Sequence, residues 1–231
     1  MKDNGWARFE KVRVPKSHFL SKYAQVTKEG EFVKPPHKKL QYATMTLVRV
    51  DIVNRCFPAL AKAATIGIRY SLVRRQGYLR GEEKAEKEMK VLDFHSQQRR
   101  IFPYLASAYA FRSVGRQLLS LYHQVQKDLK QQNFESLPDL HATSSALKAY
   151  CSWTACKGID EIRQRLGGHG YSMYSNLYSL FFIHFQSLIV SGSLEFVISS
   201  KNSRQPLPTK ETILCLHFIH LFISSQLFSL V

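Results

Sequence analysis

The chain has 231 residues, 45% of them apolar and 22% charged, which is enough to bury a core in one or two domains. Eleven glycines and eight prolines exclude collagen-like and Pro/Gly-rich disordered classes, and four cysteines without a CxxC exclude a disulfide scaffold and argue against a structural zinc. The formal net charge of +16 favours phosphate-bearing partners: nucleic acid, anionic lipid or a nucleotide cofactor.

The first residues are polar, with no apolar stretch of the kind a secretory signal needs. Trp6–Val14 alternates apolar and polar residues up to Pro15 and predicts a half-buried strand; Tyr23 to Val33 predicts a hairpin around Lys28-Glu29-Gly30. Two short strands do not form a stable sheet alone, so residues 1–37 read as the end of a larger β-domain.

From Lys38 the period becomes helical. Leu40, Met45, Leu47, Val48, Ile52, Leu60, Ala64 and Ile68 predict one apolar stripe, with a kink or break at Pro58. Residues 81–90 are a solvated charge run. A second helix is predicted from about Val91, bent at Pro103 and buried through Ile101, Leu105, Ala108, Phe111, Gly115, Leu118, Tyr122 and Val125. A third follows Leu137: Pro138 and Asp139 suit its first turn, and Leu147, Cys151, Ala155, Ile159, Ile162 and Leu166 line its buried face. Gly167 stands where a left-handed C-cap is expected. The fold class is therefore mainly α, a helical bundle.

Charge changes sharply after Ser175. Residues 176–231 hold five charged side chains, Glu195, Lys201, Arg204, Lys210 and Glu211. The chain divides into 1–37, the helical domain 38–175, and an atypical apolar tail over 176–231. Thr212–Val231 has the length of a membrane span, but its Thr, Ser, Gln and His content makes insertion marginal.

Gly167-Gly168-His169-Gly170-Tyr171 is the densest glycine cluster, where backbone could approach a ligand and offer N–H groups to an anion; taken alone it is better read as a helix terminator. Arg69, Arg74 and Arg75 end the first helix with forked donors suited to pyrophosphate, against a default of a solvated basic face. His217 and His220 beside Cys215 have no fourth ligand in view, so no metal is expected. Aromatics are not interleaved with the basic residues, so no nucleic-acid partner is expected.

Taken in order, several segments resemble the peroxisomal acyl-coenzyme A oxidases, within the acyl-CoA dehydrogenase/oxidase flavoproteins. They are Phe9-Glu10-Lys11-Val12-Arg13-Val14-Pro15, Lys22-Tyr23-Ala24-Gln25-Val26, Tyr42-Ala43-Thr44-Met45, Ile68-Arg69-Tyr70-Ser71, Leu92-Asp93-Phe94 with Gln97-Gln98, Phe102 to Phe111, Leu137 to Ala142, Ser152-Trp153-Thr154-Ala155 and Gly167 to Tyr171. The resemblance covers roughly residues 4–175. It implies a bundle like the family's first C-terminal helical domain, preceded by a remnant of the middle β-domain.

It further implies FAD as cofactor, acyl-CoA as substrate, a homodimer, and a peroxisomal setting. The family's reaction turns acyl-CoA into trans-2-enoyl-CoA and yields hydrogen peroxide. Residue by residue, Arg74, Gln76 and Gln97 resemble holders of the flavin nucleotide's phosphates, and Gly167, Gly168 and Gly170 a turn beside its adenine-pyrophosphate half. Arg49 resembles a helical residue near the CoA nucleotide. The family's Thr-Tyr/Phe-Glu-Gly motif, which carries the catalytic base, is not matched, so no catalytic residue is assigned. Glu195 lacks the following glycine, and Phe228-Ser229-Leu230-Val231 is not a Ser-Lys-Leu type address. The expectation is a fragment of an acyl-CoA oxidase that is inactive alone; the alternatives are a non-catalytic dimerisation or flavin-site module, or a protein held at a membrane by its tail.

Overall fold

The computed structural model describes residues 5–22, 24–35, 43–78 and 87–182. The expectations for Leu40, for residues 81–86 of the charge run, for Glu195, for Cys215, His217 and His220, and for Thr212–Val231 lie outside them. The chain forms two compact units, Met1–Ala43 and Thr44–Val231.

In the first unit the hairpin is present. Strand β1 (Gln25–Val26) pairs antiparallel with β2 (Phe32–Val33), in the register Gln25↔Val33 and Val26↔Phe32. Gly30 makes the turn at φ +90°, where other residues are strained, and the Glu31 amide donates to the Thr27 hydroxyl at 3.1 Å. The strand expected over Trp6–Val14 does not form. Trp6, Phe9, Val12 and Val14 are exposed, and among the described residues β1 and β2 are the only paired strands. Period-two patterning makes a strand only where a neighbour accepts its backbone hydrogen bonds and covers one face.

The second unit is built on three long helices, α1 (Ala43–Val73), α2 (His95–Lys130) and α3 (Leu137–Arg165). α1 runs through Pro58 without a break, contrary to the expected kink or split. The ring removes one helical N–H, but Val53 and Leu60 on either side are fully buried, so tertiary packing holds the helix together. The expected stripe is correct at Leu60 and Ala64 and wrong at the start of the helix. Met45, Leu47 and Val48 are exposed, while Thr46, Val50, Val53 and Cys56 face the core. That stretch is apolar nearly all round, so its periodicity selects no face.

α2 starts later than expected. Val91–Asp93 is a separate 3₁₀ turn, and Phe94 is extended (φ −72°, ψ 124°) before its carbonyl accepts the first helical N–H groups, from Gln97 and Gln98. The apolar stripe is as read: Ile101, Ala108, Phe111, Gly115, Leu118 and Val125 are buried, with Leu105 and Tyr122 packed against them. α3 also follows the reading, with Pro138 and Asp139 in its first turn.

The helices approach closely at small residues. A side chain at Gly67 of α1 would strike Ile162 of α3, and one at Gly158 of α3 would strike Tyr104 and Leu60. Gly115 of α2 lies against Asn54 of α1 in the same way. Packing does not stop where the charge pattern changes: residues 177–182 are helical, Leu177 is fully buried, and Leu180 and Phe181 pack on the same core.

Cys56, Cys151 and Cys156 are buried thiols outside any disulfide. Cys56 donates to the Ile52 carbonyl at 3.2 Å, and burial pushes its pKa up to about 12 from an ordinary thiol value of 9.0. Unfolding releases this thiol into water, where it ionises first. The neutral thiol therefore contributes stability below pH 9 that is lost progressively between 9 and about 12. We expect Cys56→Ala to flatten the alkaline limb of a melting-temperature-against-pH profile; an unchanged limb would show that Cys56 does not contribute to it.

Candidate functional site

The end of α1, the start of α2 and the end of α3 converge on an open cleft of about 620 Å³. Beyond Val73 the backbone leaves the helix and pairs with residues 88–91: Gln76 N–H donates to the Met89 carbonyl at 2.9 Å, and Val91 N–H to the Arg74 carbonyl at 2.9 Å. This pairing fixes Arg74 and Gln76 at the rim, where both are exposed. Among the described residues Arg74 has no carboxylate partner.

Gln97 forms the floor. It is 6% exposed, and its amide donates to the Ser71 hydroxyl at 3.0 Å and to the Arg165 carbonyl at 3.2 Å. One side chain from α2 thus ties the ends of α1 and α3 together. Its amide hydrogens are engaged within the protein, so it shapes the cleft and has its oxygen left to offer. Arg165 also lines the cleft, but its guanidinium is bound to Glu161 at 2.9 Å, and Arg100 shares that carboxylate at 3.2 Å. Arg74 is therefore the less compensated cation.

Gly167 and Gly168 form the opposite wall. Gly167 has positive φ as expected, but its ψ of −130° is not the left-handed helical value foreseen for a C-cap; it lies in a region essentially reserved for glycine. The chain turns there into one short turn, α4 (Gly168–Tyr171). A Cβ on Gly167 or Gly168 would meet nothing within 4 Å, so this backbone is open to the cleft. Gly170 has a different place. It is buried against the Arg163 carbonyl, which a Cβ would overlap, and it does not line the cleft.

Five of the six residues picked for a cofactor, Arg74, Gln76, Gln97, Gly167 and Gly168, therefore share one cleft. Sequence reasoning missed Tyr70, Gln164, His169 and Ser172, which also line it. Tyr70 and His169 meet at a tilt, 55° between ring planes and 4.9 Å between centroids, making an aromatic edge to the wall. His169 belongs to the glycine cluster, but its pairing with a residue 99 positions earlier has no local signal. Arg49 is elsewhere, on the seam between α1 and α3, donating to His141 Nδ1 at 2.9 Å.

The profile of the acyl-CoA oxidase C-alpha1 domain family matches residues 42–204, so the match spans all three helices and passes Ser175. The chain belongs to the acyl-CoA oxidase family. It is 44% identical to the peroxisomal acyl-coenzyme A oxidase 1 of Phascolarctos cinereus and to that of Homo sapiens, in each case over 179 residues. That is 78% of this chain and 27% of each relative, so the chain spans about a quarter of their length. Among solved structures it resembles acyl-CoA oxidase-2 of Caenorhabditis elegans, determined with FAD, ascaroside-CoA and ATP bound (TM-score 0.75, 39% identity, 79% of this chain and 27% of that one). It also resembles acyl-CoA oxidase 1 of Arabidopsis thaliana (TM-score 0.74, 36% identity, 86% and 32%). The mainly helical reading and the resemblance seen in the sequence are thus both correct.

Proposed function

We propose that this chain is the flavin-contacting helical part of an FAD-dependent acyl-CoA oxidase of peroxisomal fatty-acid β-oxidation, converting acyl-CoA to trans-2-enoyl-CoA with hydrogen peroxide as co-product. The observation that carries the reading is the cleft itself, in which an arginine with no carboxylate partner among the described residues faces backbone that carries no side chains. A pyrophosphate needs both features: a forked cation, and amides it can approach closely. The FAD bound in the Caenorhabditis elegans relative supports the choice of cofactor.

In this reading Arg74 and Gln76 hold phosphate oxygens at the rim, and Gly167 and Gly168 lie along the pyrophosphate. Gln97 keeps the three helix ends in place and offers its amide oxygen. Gly170 acts indirectly, allowing α4 to pack under the wall. Bound FAD would supply the hydride acceptor and pass the electrons to O2. By the family resemblance the flavin that meets Arg74 and Gln76 belongs to the second subunit of a homodimer, and Arg49 stands on the acyl-CoA side. Residues 38–175 are the flavin-site domain, 1–37 the end of the β-domain before it, and 176–231 a tail of different composition.

The α-proton of an acyl thioester is weakly acidic, and a positioned general base contributes about 10²–10⁴-fold. The family's base motif is not matched in this sequence, and among the described residues no carboxylate lines the cleft. We therefore expect the purified 231-residue chain to retain FAD on equilibrium dialysis yet form no peroxide from palmitoyl-CoA. Loss of all flavin would contradict the binding role. FAD-dependent turnover above a heat-treated control would contradict the claim of inactivity, and its abolition by Glu195→Gln would then assign the base to the tail.

A further inference from the structure

We propose that the groove between α2 and α3 beside Trp153 is a second binding site, which takes a planar aromatic ring bearing an acidic group. The groove measures about 570 Å³ and shares no lining residue with the cleft at Arg74. Its volume falls in the range of small-molecule sites, roughly 300–1,000 Å³. The proposal stands apart from the oxidase reading, because nothing in it depends on flavin or acyl-CoA.

Two helical stripes build the groove. Tyr150, Trp153, Thr154, Lys157 and Glu161 recur at helical spacing along α3, and Arg99, Pro103, Tyr104 and Ser107 do the same along α2. Two of the rings are fixed from behind. Tyr104 lies on Gly158, where a Cβ would come within 2.6 Å of it, and Tyr150 meets Phe111 edge-on at 6.3 Å between centroids. Trp153 is different. It lines the groove and is 62% exposed, so much of its indole is uncovered there.

Charge selects the polar end of the ligand. Glu161 is the one acid lining the groove, and it is already held by Arg165 at 2.9 Å and by Arg100 at 3.2 Å. Arg99 and Lys157, one from each wall, have no carboxylate partner among the described residues. A neutral ring would leave both cations unpaired, and an aliphatic anion would leave the indole with no flat surface against it. An aromatic anion matches both, stacking on Trp153 and accepting hydrogen bonds from Arg99 and Lys157.

The test uses the whole chain carrying Trp6→Phe, which leaves Trp153 as the single tryptophan, with 1-anilinonaphthalene-8-sulfonate as the probe. Exciting the tryptophan should sensitise probe emission, saturating at one probe per chain. Replacing Arg99 and Lys157 together by Gln should weaken binding about tenfold or more, the loss expected for a charge-assisted hydrogen bond. Both side chains are exposed, so the fold should survive, as circular dichroism checks. Trp153→Ala, followed by exciting the probe directly, should weaken binding as well, whereas Lys127→Gln and Arg74→Ala should leave it unchanged. N-phenyl-1-naphthylamine, which has the same rings without the sulfonate, should bind about tenfold more weakly, and sulfate at constant ionic strength should not displace the probe. The comparison of the two dyes decides on the unsubstituted groove if the double variant does not fold. Equal binding of both dyes, binding lost in Arg74→Ala and kept in the double variant, or displacement by sulfate would overturn the proposal.

Discussion

Phe111→Ala should destabilise the bundle by about 3–5 kcal/mol, a large part of the ~5–15 kcal/mol that holds an ordinary domain folded. Phe111 is fully buried midway along α2 and meets the Tyr150 ring of α3 edge-on at 6.3 Å between centroids. Its surroundings are stiff, because α1 and α2 are already close at Gly115 and Asn54. A cavity there cannot close by a small shift of the helices, so the loss combines lost transfer energy with lost contacts. Urea unfolding followed by circular dichroism measures this. A drop below about 1 kcal/mol, the level of a typical surface change, would mean that Phe111 is not at the centre of the packing.

The two later helices were legible in the sequence because each is apolar on one face only. In α2, Ile101, Ala108, Phe111, Leu118 and Val125 recur among Arg, Gln and Lys, so the period selects one side. The start of α1 gave no such contrast, and Met45, Leu47 and Val48 were placed on the wrong face. Trp6–Val14 failed for the complementary reason: a strand is defined by its neighbour, and the sequence of one strand does not contain it.

The cleft was legible only in part. Glycines and arginines mark themselves, since an open backbone and a forked cation have few other uses together. Tyr70 and His169 do not, because their meeting depends on where α1 and α3 end in space. Gln97 shows the limit of analogy: it lines the cleft, and its hydrogen bonds to Ser71 and Arg165 make it a structural tie between helix ends. Gly170 shows the same, packing under the cleft wall against Arg163 without lining the cleft.

Arg74→Ala should weaken FAD binding about tenfold or more, because a hydrogen bond to a charged group contributes ~1.5–3 kcal/mol, while an exposed lysine far from the ligand contributes little. Lys127, exposed on the last turn of α2, is the matched control: the same charge is removed from a surface outside the cleft. If the overall charge of +16 were what attracts FAD, the two substitutions would act alike and both losses would grow with falling salt. The cleft predicts a different result. The decisive measurement is a fluorescence titration of FAD into the chain and its Arg74→Ala and Lys127→Ala variants at physiological ionic strength. The account predicts a large loss for Arg74→Ala and none for Lys127→Ala; equal losses would contradict it.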